Sequence, residues 1–113
     1  MDQAFGIAEE TKGSVPVLSV RGDIDVATAP VLRDRLQSRV AQGSATVVVD
    51  LLGVSFLDST ALGVLIGALK RCREAGGELR LVINEARILK VFEITGLTEV
   101  FVIAPSLDQA LAL

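Results

Sequence analysis

Apolar and polar positions along this chain switch between a period of two and a period near 3.6, and the switches mark out nine elements. "AFGIAEE" and "VPVLSVRG" read as two strands joined by the turn-forming "TKGS", which predicts a hairpin. Pro16 suits an edge or strand-start position, since it has no N–H to give to a ladder. "DIDVATAPVLRDRLQSRVAQG" then turns helical: Leu32, Leu36 and Val40 recur every four residues while Arg33, Asp34, Gln37 and Ser38 face elsewhere. Thr28 is placed to cap this helix, Pro30 fits its first turn and Gly43 can end it. "TVVVDLLGVSFL" is continuously apolar and rich in β-branched residues, which predicts a central strand buried on both faces.

A second helix is expected from Asp58-Ser59-Thr60 through "ALGVLIGALKRCREAGG", with Leu62, Leu65, Ile66, Leu69 and Cys72 on one broad face and Gly76-Gly77 as its stop. A strand, "ELRLVI", precedes the helical "EARILKVFEITG", in which Ile88, Val91, Phe92 and Thr95 share a face and Gly96 ends the turn. A short strand, "EVFVI", and a last helix, "SLDQALAL", follow, and Ser106 and Gln109 have capping-box spacing. The order ββαβαβαβα predicts an α/β domain: a mixed, mostly parallel sheet with helices packed on it, as a single domain over residues 1–113.

Composition narrows the class. The chain is half hydrophobic with 22% charged residues and a mean hydropathy of +0.54, so it can bury a large core without disulfides or metals. Its longest uncharged apolar run, "ALGVLIGAL", ends at Lys70 after nine residues, against roughly 20 for a membrane-spanning helix. "MDQAFGIAEETKG" is acidic and does not read as a signal peptide. Cys72 is the only cysteine, which rules out an internal disulfide and agrees with a cytoplasmic location. A net charge of -3 and a pI near 4.8 argue against nucleic acid, and four Phe without Tyr or Trp leave little for base stacking. The absence of His removes the commonest general base and metal-binding nitrogen.

"SFLDSTALGV" places Asp58, Ser59 and Thr60 where a buried strand hands over to a helix, at the strand end where open α/β sheets tend to place their sites. Each of the three is a good N-cap, but one cap uses one residue and leaves at least one hydroxyl unassigned. A serine nucleophile would need Lys or a carboxylate as its base. Asp23, Asp25 and Asp58 could hold Mg2+ as in a phospho-accepting receiver domain, yet paired acids after the first strand and a lysine after the last are missing. Thirdly, Ser59 could accept a phosphate from another enzyme, with the helix N-terminus receiving the charge. That role needs no catalytic apparatus in the chain.

Plainer roles fit other residues. Gly63 and Gly67 read as a small face for close helix packing, and Cys72 as a buried small hydrophobe. Asp25 reads equally as a turn residue before the first helix or as a partner contact. Lys70, Arg71 and Arg73 read as a solvated helix face.

"RGDIDVATAPVLRDRL", "VVVDLLGVSFLDSTALGVL", "KRCREAGGELRLV" and "VFEITGLTEVFVIAPSLDQAL" closely resemble the anti-sigma factor antagonists of bacteria, which are small STAS-domain proteins. The resemblance runs in order from about Val15 to the end of the chain. In that family the site reads Asp-Ser-Ser-Gly-Leu or Asp-Ser-Thr-Gly-Leu, and the serine after the aspartate is phosphorylated by an anti-sigma factor that is itself a serine kinase. The resemblance implies that Ser59 is the phospho-acceptor, with Thr60 as second choice, and that "GDID" is the loop beside the site. It implies a binding protein without catalysis, cofactor or metal. Asp23, Asp25, Asp58, Ser59, Thr60 and Ala61 would meet the anti-sigma factor serine kinase, displacing a sigma factor until phosphorylation ends the contact. Ala61 stands where the family has Gly, and its methyl could hinder a kinase. That departure supports an alternative, a STAS scaffold or nucleotide-sensing module that is not phosphorylated.

Overall fold

Hairpin pairing opens the sheet. In the computed structural model, which describes residues 4–113, β1 (Gly6–Lys12) runs antiparallel to β2 (Val15–Ile24), in register from Gly6 opposite Arg21 to Lys12 opposite Val15. Each later strand is reached through a helix, so each joins parallel: α1 (Ala29–Ala41), β3 (Val47–Leu57), α2 (Ser59–Glu74), β4 (Leu79–Val82), α3 (Ala86–Ile94) and β5 (Val102–Ala104). A 3-10 turn, Leu97–Glu99, precedes β5, and α4 (Leu107–Leu111) follows it. The sheet order is β1-β2-β3-β4-β5, the mixed and mostly parallel α/β architecture that the alternation predicts. The first three residues of the expected 1–113 domain lie outside the described ones. Among the described residues no helix is long and apolar enough to cross a membrane.

Neighbouring strand residues point to opposite faces and divide the core in two. Leu18, Val49 and Leu81 pack with Leu32 and Leu36 of α1, Leu65 and Leu69 of α2, and Ile88 and Phe92 of α3. Val17, Val48 and Val82 pack with Ala104 and Ala110, beneath the short α4. Because α4 has only five residues, it leaves the carboxyl-end halves of β2 and β3 uncovered on this face.

β3 departs from the expectation of burial on both faces along its length. Val47, Val48 and Val49 are fully buried, but Leu52 and Phe56 are 43% and 51% exposed. Both lie on the face opposite α1, α2 and α3, which α4 leaves open beyond Val48, and two bulges reset the residues between. Ser19 pairs with Asp50 but Arg21 with Gly53, and Gly22 pairs with Val54 but Asp23 with Phe56, so β3 gains one residue on β2 each time. Its positions facing the three helices become Val47, Val49, Leu51, Val54 and Leu57, so the bulges bring Val54 inward in place of Gly53 and Ser55.

Other boundaries move for local reasons. Asp23 and Ile24 belong to β2 and not to the helical segment, because Ile24 is fully buried in the core. Thr28 occupies the N-cap position of α1 without capping it: its backbone is already helical (φ -99, ψ -26), which aims its hydroxyl elsewhere. Thr95 is exposed at the end of α3, where its hydroxyl donates to the carbonyl of Val91, so it is not part of the buried face. Ile66 is only half-buried. Gly63 faces open space, and a side chain on Gly67 would approach only Arg71, so the two do not form a close-packing seam. The stop of α2 is as expected: Gly76 (φ 89) and Gly77 donate to the carbonyls of Arg73 and Cys72. A Cβ on Gly77 would lie 2.3 Å from the Ala45 carbonyl oxygen, so only glycine fits there. Cys72 is buried, which pushes its thiol pKa up and suits a small hydrophobe.

Candidate functional site

Asp58 alone starts α2. Its backbone is extended (φ -114, ψ -173), and its Oδ1 accepts from the N–H of Ala61 at 3.1 Å while its carbonyl accepts from Leu62 at 3.1 Å. The hydroxyls of Ser59 and Thr60 make none of the described hydrogen bonds, and neither do their backbone N–H groups. Ser59 is exposed as the first residue of the 16-residue helix, and Thr60 is half-buried. An unengaged hydroxyl therefore stands at the positive end of a long helix.

The loop after β2 is fastened to this point. Ile24 and Leu57 are the last paired residues of β2 and β3, and the N–H of Asp58 donates to the carbonyl of Ile24 at 3.2 Å. Beyond Ile24 the chain forms a closed turn. Asp25 Oδ1 accepts from the N–H groups of Ala27 at 3.0 Å and Thr28 at 3.1 Å, and the Thr28 hydroxyl lies 3.1 Å from it. The same hydroxyl accepts from the N–H of Asp25 at 2.9 Å and donates to the carbonyl of Asp23 at 2.8 Å. These donors, led by the Thr28 N–H, hold the Asp25 carboxyl below its usual pKa. Asp23 is exposed and stands opposite Phe56 in the ladder.

Asp23, Asp25, Asp58, Ser59 and Thr60 thus gather at the carboxyl ends of β2 and β3. Ala61 does not join them. It is fully buried with its methyl in the helix-side core, out of reach of a partner's surface. Oδ1 of Asp25 and Oδ1 of Asp58 each accept from backbone N–H groups, so both acids hold the local backbone in place. Among the described residues no three His, Cys, Asp or Glu side chains come together as metal ligands.

Sequence reasoning passed over three residues here. Thr28 holds the turn instead of capping the helix, and Val26 and Phe56 are apolar yet 71% and 51% exposed. Val26 carried a signal, a lone aliphatic among turn-forming residues. Phe56 carried none, because its exposure depends on how little of that sheet face the short α4 covers.

Residues 7–110 match the family model for the STAS domain. The chain is 41% identical over 83 residues to the anti-sigma-B factor antagonist of Bacillus subtilis, covering 74% of this chain and 75% of that one. The crystal structure of an anti-sigma factor antagonist from Mycobacterium paratuberculosis superposes with a TM-score of 0.89 at 31% identity, over 96% of this chain and 92% of the other. The Bacillus cell fate determinant SpoIIAA in its phosphorylated form shares the fold, with a TM-score of 0.73 at 22% identity over 96% and 97% of the two chains. The chain belongs to the STAS-domain anti-sigma factor antagonist family.

Proposed function

We propose that this chain, unphosphorylated, binds an anti-sigma factor serine kinase in the cytoplasm and thereby releases a sigma factor, and that a phosphate on Ser59 ends the binding. The chain supplies no catalysis and no cofactor; ATP belongs to the partner. The observation that carries the reading is the division of labour in the triplet. Asp58 does the capping, so the Ser59 hydroxyl is exposed and free to accept a phosphoryl group without unmaking the helix.

A phosphoserine brings about -1.5 to -2 charge at neutral pH. The helix dipole and the N–H groups of Ser59 and Thr60 would offset part of it inside the domain, so the fold tolerates the group. A partner fitted to a neutral hydroxyl would have to desolvate that charge beside the carboxylates of Asp23 and Asp58. Binding is lost locally. The rival scaffold or nucleotide-sensing role drew its support from Ala61, and the burial of that methyl withdraws it.

The test is incubation with ATP and each anti-sigma serine kinase of the source organism, followed by intact mass and peptide mapping. One phosphate on Ser59, absent from Ser59→Ala, is expected. No transfer from any of these kinases would refute the reading, and transfer to Thr60 would move the site.

A further inference from the structure

Seven large apolar side chains are at least 38% exposed among the described residues, and three of them crowd the segments that lead into the Ser59 site. Val26, at 71%, lies in the turn after β2, Val31, at 42%, in the first turn of α1, and Phe56, at 51%, three residues before Ser59. A single exposed aliphatic needs no explanation, but Phe56 stands opposite Asp23 in the ladder and Val26 follows Asp23 by three residues, so these two flank the same acidic turn.

Val26 is also held outward. The residues on both sides of it are tied down by Asp25 Oδ1 to the N–H groups of Ala27 and Thr28, by the Thr28 hydroxyl to Asp23, and by the Ala29 N–H to the Asp25 carbonyl at 2.8 Å. For Val26 to turn inward, this turn would have to open. An apolar side chain fixed in water beside a binding site is preorganised for a partner, because little ordering remains to be done on contact.

Charge selects the kind of partner. Residues 22–29 and 56–63 carry Asp23, Asp25 and Asp58 and no Lys or Arg, and Arg87, which lines a pocket with Phe56 and donates to the Ser55 carbonyl at 3.3 Å, offsets only part of that charge. The complementary surface is an apolar pocket with a cationic rim.

We infer that Val26 and Phe56 are the apolar anchors by which the chain docks, and that their occupant is the anti-sigma factor itself, in a pocket of that character. This inference rests on the anti-sigma reading. Residues that bury an apolar anchor at the centre of an interface dominate affinity, whereas equally exposed residues elsewhere do not. Ile94, 75% exposed at the far end of α3, is the control.

The kinase that binds the wild-type chain is titrated with Val26→Ser, Phe56→Ser, Val26→Ile and Ile94→Ser, each checked for an unchanged melting temperature. Val26→Ser and Phe56→Ser should each weaken binding about tenfold. Val26→Ile, which keeps an apolar branched side chain, should lose less affinity than Val26→Ser, and Ile94→Ser should stay within about twofold. Wild-type binding with Val26→Ser and Phe56→Ser both within about twofold would overturn the anchors and leave the anti-sigma reading standing. A wild-type chain that binds none of the organism's anti-sigma kinases would overturn both.

Discussion

The N–H of Asp58 donates to the carbonyl of Ile24 at 3.2 Å, and this bond joins the loop after β2 to the first turn of α2. Asp58 spends its backbone on that loop and its carboxylate on the Ala61 N–H, so one residue sets both the loop position and the helix start. The surface around Ser59 is therefore built from two segments that cannot shift independently. The consequences divide into what each polar group does for the fold and what it leaves for a partner.

Replacing Asp58 by Ala removes the cap and should cost about 1 kcal/mol, lowering the melting temperature by several degrees. Asp58→Asn keeps an oxygen that can accept from Ala61 and should recover most of this. Thermal unfolding followed by circular dichroism is the measurement, and an unaltered melting temperature in Asp58→Ala would mean that the helix starts without this cap.

Ser59→Ala removes a hydroxyl that makes none of the described hydrogen bonds, and should change stability by less than about 0.5 kcal/mol. It should bind the kinase as the wild type does and accept no phosphate, behaving as a permanently active antagonist. Thr60→Val should still be phosphorylated. Mass spectrometry and titration calorimetry on the two variants separate these outcomes.

Asp25 was open to two roles in the sequence, and its bonds to Ala27 and Thr28 make it the keystone of a turn, whatever else it touches. Asp25→Ala should therefore lose stability as well as affinity, in place of the affinity loss alone that a pure contact residue predicts. Its folded pKa is depressed by donors that prefer the carboxylate. The stability it contributes is thus fully present above the unfolded value, about 3.9, and is lost as pH falls through the lower folded value. Melting temperatures of wild type and Asp25→Ala should converge on acidification below that window; a constant gap down to low pH would show that the carboxylate's charge plays no part in the turn.

A second acid-sensitive link lies far from the site. Glu9 on β1 accepts from Arg39 Nε at 2.8 Å and pairs with Arg35, both on α1. Burial pushes its pKa up, but the bonds from Arg39 and Arg35 outweigh it and the net shift is downward. Glu9→Gln should cost under about 1 kcal/mol, as a partly exposed ion pair does, and less in high salt. This contribution too is present above the unfolded value near 4.3 and fades as pH falls through the folded one. Kinase binding should be unaffected. Denaturant titrations at low and high salt test the size, and loss of kinase affinity would show that β1 contributes to the interface.

The order of elements, the cap at Ser106 and a cap somewhere in Asp58-Ser59-Thr60 were legible because periodicity and capping are local properties of the chain. The two bulges were not. A bulge is a mismatch between strands distant in sequence, and "TVVVDLLGVSFL" carries the same apolar run whether or not β2 is a residue shorter opposite it. Everything that depends on the bulges was hidden with them, including the burial of Val54. The burial of Ala61 was within reach of the same periodicity, since it precedes Leu65 by four residues and shares the buried face, but that local signal was passed over.

The Asp58–Ile24 bond also bounds how far a phosphate on Ser59 can be felt. Its charge meets the first turn of α2 and, through Asp58, the loop from Asp23 to Thr28. Beyond these, Leu57, Ala61 and Ile24 are buried in a packed core that has no room to follow a small displacement. Amide chemical shifts of the phosphorylated chain should therefore change mainly over residues 23–28 and 57–64, while β4 and α4 stay as they were. Kinase affinity should fall sharply at the same time. Shift changes reaching β4 and α4 would instead mark a conformational switch, and an affinity unaltered by the phosphate would mean that Ser59 lies outside the contact.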